Sequence, residues 1–162
     1  MMKKSLIALL TAAWTTFALA APQDGAVFGD WKTVCESKED GPQNCHIFQH
    51  IKVKDTDKTL LHIAIGYAKE SDLPIALFNL PLGIALPPGV QFKVGDGEPH
   101  KMPLSICTQQ GCRAVLKLDA GLLRAMRDAA SGTMTFVGPD AKAYNIPLSF
   151  AGFSEGFNSL QP

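Results

Sequence analysis

Between Val27 and Phe150 the chain is divided into short apolar runs by Gly, Pro and Asp turn signals, and in the clearest of them every second residue is apolar. Ile47, Gln49, Ile51 and Val53 share one face of a Cys45 to Lys54 run, and Leu61, Ile63 and Ile65 share one face of Thr59 to Ala68. The wholly polar Lys54-Asp55-Thr56-Asp57-Lys58 between them predicts a hairpin. Val27 to Glu36 (containing Trp31), Ile75 to Leu80, Val90 to Val94, Met102 to Cys107, Cys112 to Leu118, Thr133 to Val137 and Ala143 to Phe150 also read as strands, with Asp96-Gly97 the strongest turn. Asp119 to Ala130 is the one clear helix, with Asp119 as its cap and Leu122, Leu123 and Met126 as its apolar stripe. Many short strands and a single helix of this length predict an all-β fold, a β-sandwich.

The N-terminus has the three parts of an export signal: Lys3 and Lys4, an uncharged stretch from Ser5 to Leu19, and Ala18-Leu19-Ala20 as a small-x-small cleavage site. Thr11, Thr15 and Thr16 interrupt that stretch, so cleavage after Ala20 is expected rather than a permanent span. Residues 1–20 are then a removed signal peptide and 21–162 a single domain without a linker, large enough to bury roughly two thirds of its unfolded surface. Processing takes 2 of the 15 basic side chains and none of the 15 acidic ones, for a net charge of about −2. The remaining basic residues are scattered, which argues against a nucleic-acid partner.

Cys35, Cys45, Cys107 and Cys112 all follow the signal, and an even count in an exported chain favours two disulfides. Each of the pairs Cys35–Cys45 and Cys107–Cys112 flanks a polar, turn-forming segment, so these local links are expected. Redox catalysis by Cys107 and Cys112 is the alternative. Four residues separate them, however, where thiol-disulfide enzymes use two at a helix start. A zinc site would need thiolates that an oxidising compartment consumes.

No catalytic, cofactor or metal site is expected. His46 and His50, on a strand, stand roughly 13 Å apart at about 3.3 Å per residue, too far to share an ion. His62 reads as a solvent-facing strand residue and His100 as a turn residue beside Lys101. No serine has a Gly-x-Ser-x-Gly context, no phosphate-binding glycine loop is present, and Glu70/Asp72 and Glu39/Asp40 lie in polar loops where nothing would raise a carboxyl pKa. Two apolar segments remain. Phe78 to Val90, through Leu82, Ile84 and Leu86, reads first as core-filling, and as a partner contact if it is exposed. Phe150, Phe153 and Phe157 pose the same choice; the helical spacing of Phe153, Phe157 and Leu160 favours a short terminal helix packed on the sandwich.

Phe28-Gly29-Asp30-Trp31 followed by Cys35, then Pro81-Leu82-Gly83 with Leu86-Pro87-Pro88-Gly89-Val90, then Cys107 with Gly111-Cys112-Arg113-Ala114, and last Ser149-Phe150-Ala151-Gly152-Phe153-Ser154, occur in that order across nearly all of the processed chain. In this the sequence resembles the invasion-associated locus B family. Phe150, where Leu is usual, and Gly156, where Ala is commoner, depart from the pattern. The resemblance implies an immunoglobulin-like β-sandwich in an exported bacterial envelope protein, periplasmic, outer-membrane associated or secreted, with a link to host-cell invasion in pathogens and no established catalytic residues. The expected function is therefore non-enzymatic binding of an envelope or host protein, through Leu82, Ile84, Leu86, Phe153 or Phe157 if these are exposed, with a homodimer also open. A thiol-disulfide enzyme using Cys107 and Cys112, or a carrier of an apolar ligand between the sheets, are the alternatives.

Overall fold

The computed structural model describes residues 22–38, 41–68 and 71–160. The signal segment and the carboxylates Glu39, Asp40 and Glu70 lie outside the described residues. Among the described residues eleven strands and two helices follow in chain order: β1 (Val27–Phe28), β2 (Trp31–Lys38), β3 (Gly41–Lys52), β4 (Thr59–Tyr67), β5 (Pro74–Leu80), β6 (Val90–Val94), β7 (His100–Met102), β8 (Ile106–Thr108), β9 (Gly111–Lys117), α1 (Ala120–Asp128), β10 (Ser131–Val137), β11 (Ala143–Ser149) and α2 (Phe153–Asn158). They form a seven-stranded sheet ordered β1-β2-β3-β4-β5-β9-β8 and a four-stranded sheet ordered β11-β10-β6-β7. All pairs are antiparallel. The predicted β-sandwich is the fold.

The alternation places Ile47, Leu61, Ile63, Ile65, Ala76, Phe78 and Ala114 on the inner face of the large sheet, all buried. Phe92, Met134 and Leu148 oppose them from the small sheet, and Phe78 meets Phe92 at 5.2 Å between ring centroids. Gln49 and Thr33 are buried polar members of the inner face. The Gln49 amide donates to the Ser149 carbonyl at 3.2 Å while its carbonyl accepts from the Ser149 N–H at 3.2 Å, and the Trp31 indole donates to the same Ser149 carbonyl at 3.1 Å. A buried amide is tolerated because both of its ends are satisfied.

Two predicted strands are divided. Val27 to Glu36 breaks at Gly29-Asp30, where Gly29 has φ +55° and the Asp30 N–H donates to Ala151 at 3.1 Å. Met102 to Cys107 belongs to both sheets, β7 pairing with β6 and β8 with β9. Pro103 has no N–H to continue a ladder, and the chain crosses between layers there. Cys45 to Lys54 instead begins earlier, at Gly41, because β3 pairs with β2 through a hairpin that the Cys35–Cys45 disulfide clips.

The second disulfide joins Cys107 to Cys112, as the local pairing predicts. It spans a hairpin whose last ladder pair is Thr108 and Gly111, leaving Gln109-Gln110 as a two-residue turn. Asp119 caps α1 by accepting the Leu122 N–H at 2.8 Å, and Leu122 and Met126 face inward. The C-terminal turn is helical as well, with Phe153, Phe157 and Leu160 all buried.

Of the two off-pattern residues, Phe150 has a local explanation and nothing in the structure explains Gly156. A Cβ on Gly156 would lie at ordinary contact, 3.4 Å, from Ile47 and Phe28, so alanine would fit there. The Phe150 ring takes space that only a glycine at position 132 leaves open, since a Cβ on Gly132 would come within 2.9 Å of it.

Candidate functional site: the outer face of the seven-stranded sheet

The outer face of a two-layer antiparallel sandwich ordinarily meets water and reads polar. The small sheet obeys: Gln91, Lys93, Thr133, Thr135 and Asn145 line its outer side, with Thr135 bonded to Asn145 at 2.7 Å. The large sheet does not.

Successive ladder registers align Val27 with Lys32, Lys32 with Phe48, Phe48 with Ala64, Ala64 with Leu77, and Leu77 with Val115. This row crosses six strands, roughly 24 Å at about 4.8 Å per strand, and Lys32 is its only polar member. The adjacent row is Val34, His46, Gly66, Ile75 and Lys117. On the other side run His50, His62, Asn79, Arg113 and Ile106. Val27, Val115 and Ile106 are 60%, 39% and 54% exposed at the ends of these rows, while Phe48, Ala64, Ile75 and Leu77 in the middle are half-buried.

Three imidazoles surround Phe48. His50 and His62 face each other across the ladder with ring centroids 4.5 Å apart, and Phe48 lies 5.0 Å from His50, 5.6 Å from His62 and 6.5 Å from His46. His62 is thus not the freely solvated residue that its strand position suggests. Desolvation, then the charges of His50 and His46, lower its pKa to about 4. His50 is lowered by desolvation and by Lys52 and Lys32. Both imidazoles are therefore neutral near pH 7. His46 and His50 stay apart along β3 as the strand spacing requires, and no cluster of three potential metal ligands occurs among the described residues.

This pair ties stability to pH. The unfolded chain takes up a proton on His62 near pH 6.5 and the folded chain only near pH 4, so between those values the unfolded state binds more protons. The contribution of neutral His62 is complete above pH 6.5 and is lost as the pH falls towards 4. Allowing for partial exposure, it is worth on the order of 1–2 kcal/mol. Wild type should lose that much more unfolding free energy than His62→Gln between pH 7.5 and pH 4.5, measured by urea denaturation. Equal losses would mean that His62 is solvated in the fold.

Where His46, Gly66 and Ile75 align, the missing side chain at Gly66 leaves a shallow recess of about 300 Å³, lined by His46, Ala64, Gly66, Tyr67, Ile75 and Leu77 among others. His46 closes one side, its Cβ within 2.9 Å of where a Cβ on Gly66 would lie. Outward-facing charges around the rows are Lys32, Lys52, Arg113 and Lys117 against Glu36, with Asp30 lining the same hollow as Lys32 and Lys52, and Asp57 paired to Lys52 at 3.0 Å.

The residues singled out in the sequence do not converge on this face. Leu82 and Leu86 are 56% and 54% exposed in the β5–β6 loop, whereas Ile84 between them is buried and the Ala85 N–H donates to Val137 at 2.8 Å. Phe153 and Phe157 are fully buried, so in this fold they are core and present nothing to a partner. Cys107 is exposed and Cys112 buried at the hairpin that they close. The exposed face itself went unread because Phe48, Ala64, Leu77 and Val115 are brought together by register, not by proximity in sequence. One signal was available: Pro74-Ile75-Ala76-Leu77-Phe78 has no polar residue on either face, the pattern of a strand covered on both sides.

A disulfide-clipped antiparallel sandwich with one polar outer face and one crossed by an apolar row between polar ones is the class of domain that these features define. The chain belongs to the invasion associated locus B (IalB) family, whose family model matches residues 31–161. An invasion protein B homolog of Brucella abortus (strain 2308) is 26% identical over 132 residues, covering 82% of this chain and 73% of that protein, and the homolog from biovar 1 (strain 9-941) gives the same figures. These relatives are named as invasion proteins, not as enzymes. The crystal structure of invasion associated protein B from Bartonella henselae superposes with a TM-score of 0.75 at 18% identity, covering 83% of this chain and 92% of that one, which is a likeness of fold.

Proposed function

We propose that this is an exported envelope protein that acts without catalysis, by binding a partner protein through the outer face of its seven-stranded sheet. The observation that carries the reading is the apolar row through Phe48, Ala64, Leu77 and Val115, on the sheet face turned away from the small sheet and both helices among the described residues. Contiguous apolar surface rimmed by polar residues marks sites of association. The relatives' names connect the family with invasion, and a binding protein of the periplasm, outer membrane or cell exterior is compatible with that connection.

Two further observations favour surface binding over the alternatives. Trp31, Phe78, Phe92, Phe153 and Phe157 fill the space between the layers where an apolar ligand would otherwise sit. The Cys107–Cys112 link closes a two-residue hairpin, the place of a structural clip.

A photoreactive residue at Leu77 should give a discrete protein adduct in the native envelope, while one at Thr135 on the polar outer face should give none. The same adduct pattern from both positions, or no adduct from Leu77, would overturn the reading.

A further inference from the structure

We propose that the recess over Gly66 is an anchor site for one bulky apolar side chain, such as Leu, Met or Phe, carried by an acidic segment of a partner protein. The proposal rests on the binding reading above and names the chemistry of the partner.

The recess has room for one large side chain, and position 66 contributes only backbone to it because it has no Cβ. Its lining, with Ala64, Ile75, Leu77, His46 and Tyr67 among others, is largely apolar. Such concave spots, ringed by neutral contacts that exclude water, are where binding energy concentrates in protein interfaces. Lys117 is the ladder neighbour of Ile75 at the edge of the recess, and Lys32 is that of Phe48 in the next row. With Arg113 beyond them, the β5–β9 side of this face is cationic among the described residues, while Glu36, ladder partner of the recess-lining Asn44, is the acidic group at the β2–β3 side and Asp57 is already paired to Lys52.

That distribution selects among occupants. A second copy docking through the same face would set Lys32, Arg113 and Lys117 against their own kind, a like-charge arrangement that costs affinity. A membrane surface requires apolar side chains that protrude, whereas Ala64, Ile75 and Leu77 are half-buried in a hollow. An acidic polypeptide satisfies both the hollow and its rim: carboxylates meet the lysines while one apolar residue enters over Gly66.

The test uses the oxidised protein and a random library of displayed 12-residue peptides. Ala64→Ile fills the recess with a side chain that strands favour, and the thermal midpoint verifies that the variant folds. Enriched peptides should carry one bulky apolar residue among Asp and Glu. Their binding should fall at least tenfold in Ala64→Ile and severalfold in Lys117→Glu, with Thr135→Ile unchanged. Enrichment of peptides lacking either feature, no enrichment, or equal binding to Ala64→Ile would overturn the proposal, as would saturable binding of phosphatidylglycerol vesicles that Ala64→Ile abolishes. An adduct from Leu77 alongside failure here would retain the face and discard the recess, whereas loss of both would discard the face as well.

Discussion

Gly152→Val is expected to cost at least about 4 kcal/mol and to leave little folded protein, because two separate penalties fall on one position. Gly152 has φ +80°, a region that costs a side-chain-bearing residue about 1–2 kcal/mol. A Cβ there would also run into the Phe28 carbonyl, and one on Gly29 would run into the Ala151 carbonyl. The two glycines mark a crossing at which the beginning and the end of the domain touch backbone to backbone, fixed by the Asp30 N–H bond to Ala151. Gly83→Val is the control. Its φ is +86°, but nothing lies within 4 Å of its Cβ, so only the conformational penalty applies. Urea denaturation followed by near-UV circular dichroism should separate the variants by 2 kcal/mol or more. Comparable midpoints would mean that the crossing yields to a small backbone shift.

That crossing also explains what the sequence motifs were reporting. Phe28-Gly29-Asp30-Trp31 and Ser149-Phe150-Ala151-Gly152-Phe153 are more than a hundred residues apart and read as two separate signatures, yet they are the two halves of one contact. The first and last of the four motifs that carry the family resemblance thus encode the closure of the sandwich. The strands and both disulfides were legible for a local reason. Side chains alternate with a period of two, and each cysteine pair brackets its own hairpin. The outer face was not legible because its rows depend on registers between segments such as β5 and β9, whose partners Leu77 and Val115 are separated along the chain by three short strands of two sheets and two crossings between layers. His62 shows the same limit. Its strand position is visible in the sequence, but its pairing with His50, and hence its depressed pKa, follows from the β3–β4 register.

Phe153→Ala is expected to destabilise the protein by about 3–5 kcal/mol, while Leu82→Ala changes stability by less than about 0.5 kcal/mol. The residues are equally apolar in sequence terms, and both were candidates for contact with a partner. Phe153 is fully buried, with its ring 5.4 Å from Trp31, 5.9 Å from Phe150 and 5.7 Å from Phe157, whereas Leu82 is 56% exposed. The six residues of α2 are too few to hold a helix without tertiary packing. Truncating Phe153 therefore opens a cavity and also loosens the element that brings Phe157 against Tyr67 and places Arg127 over the Phe157 ring. For a domain of this size the loss corresponds to a fall in Tm of roughly 10 °C. If Phe153 acted instead as a docking side chain that enters the core only in the free protein, its truncation would spare Tm and weaken capture of a partner. An unchanged Tm in Phe153→Ala would therefore return the C-terminal segment to the binding surface and remove it from the core.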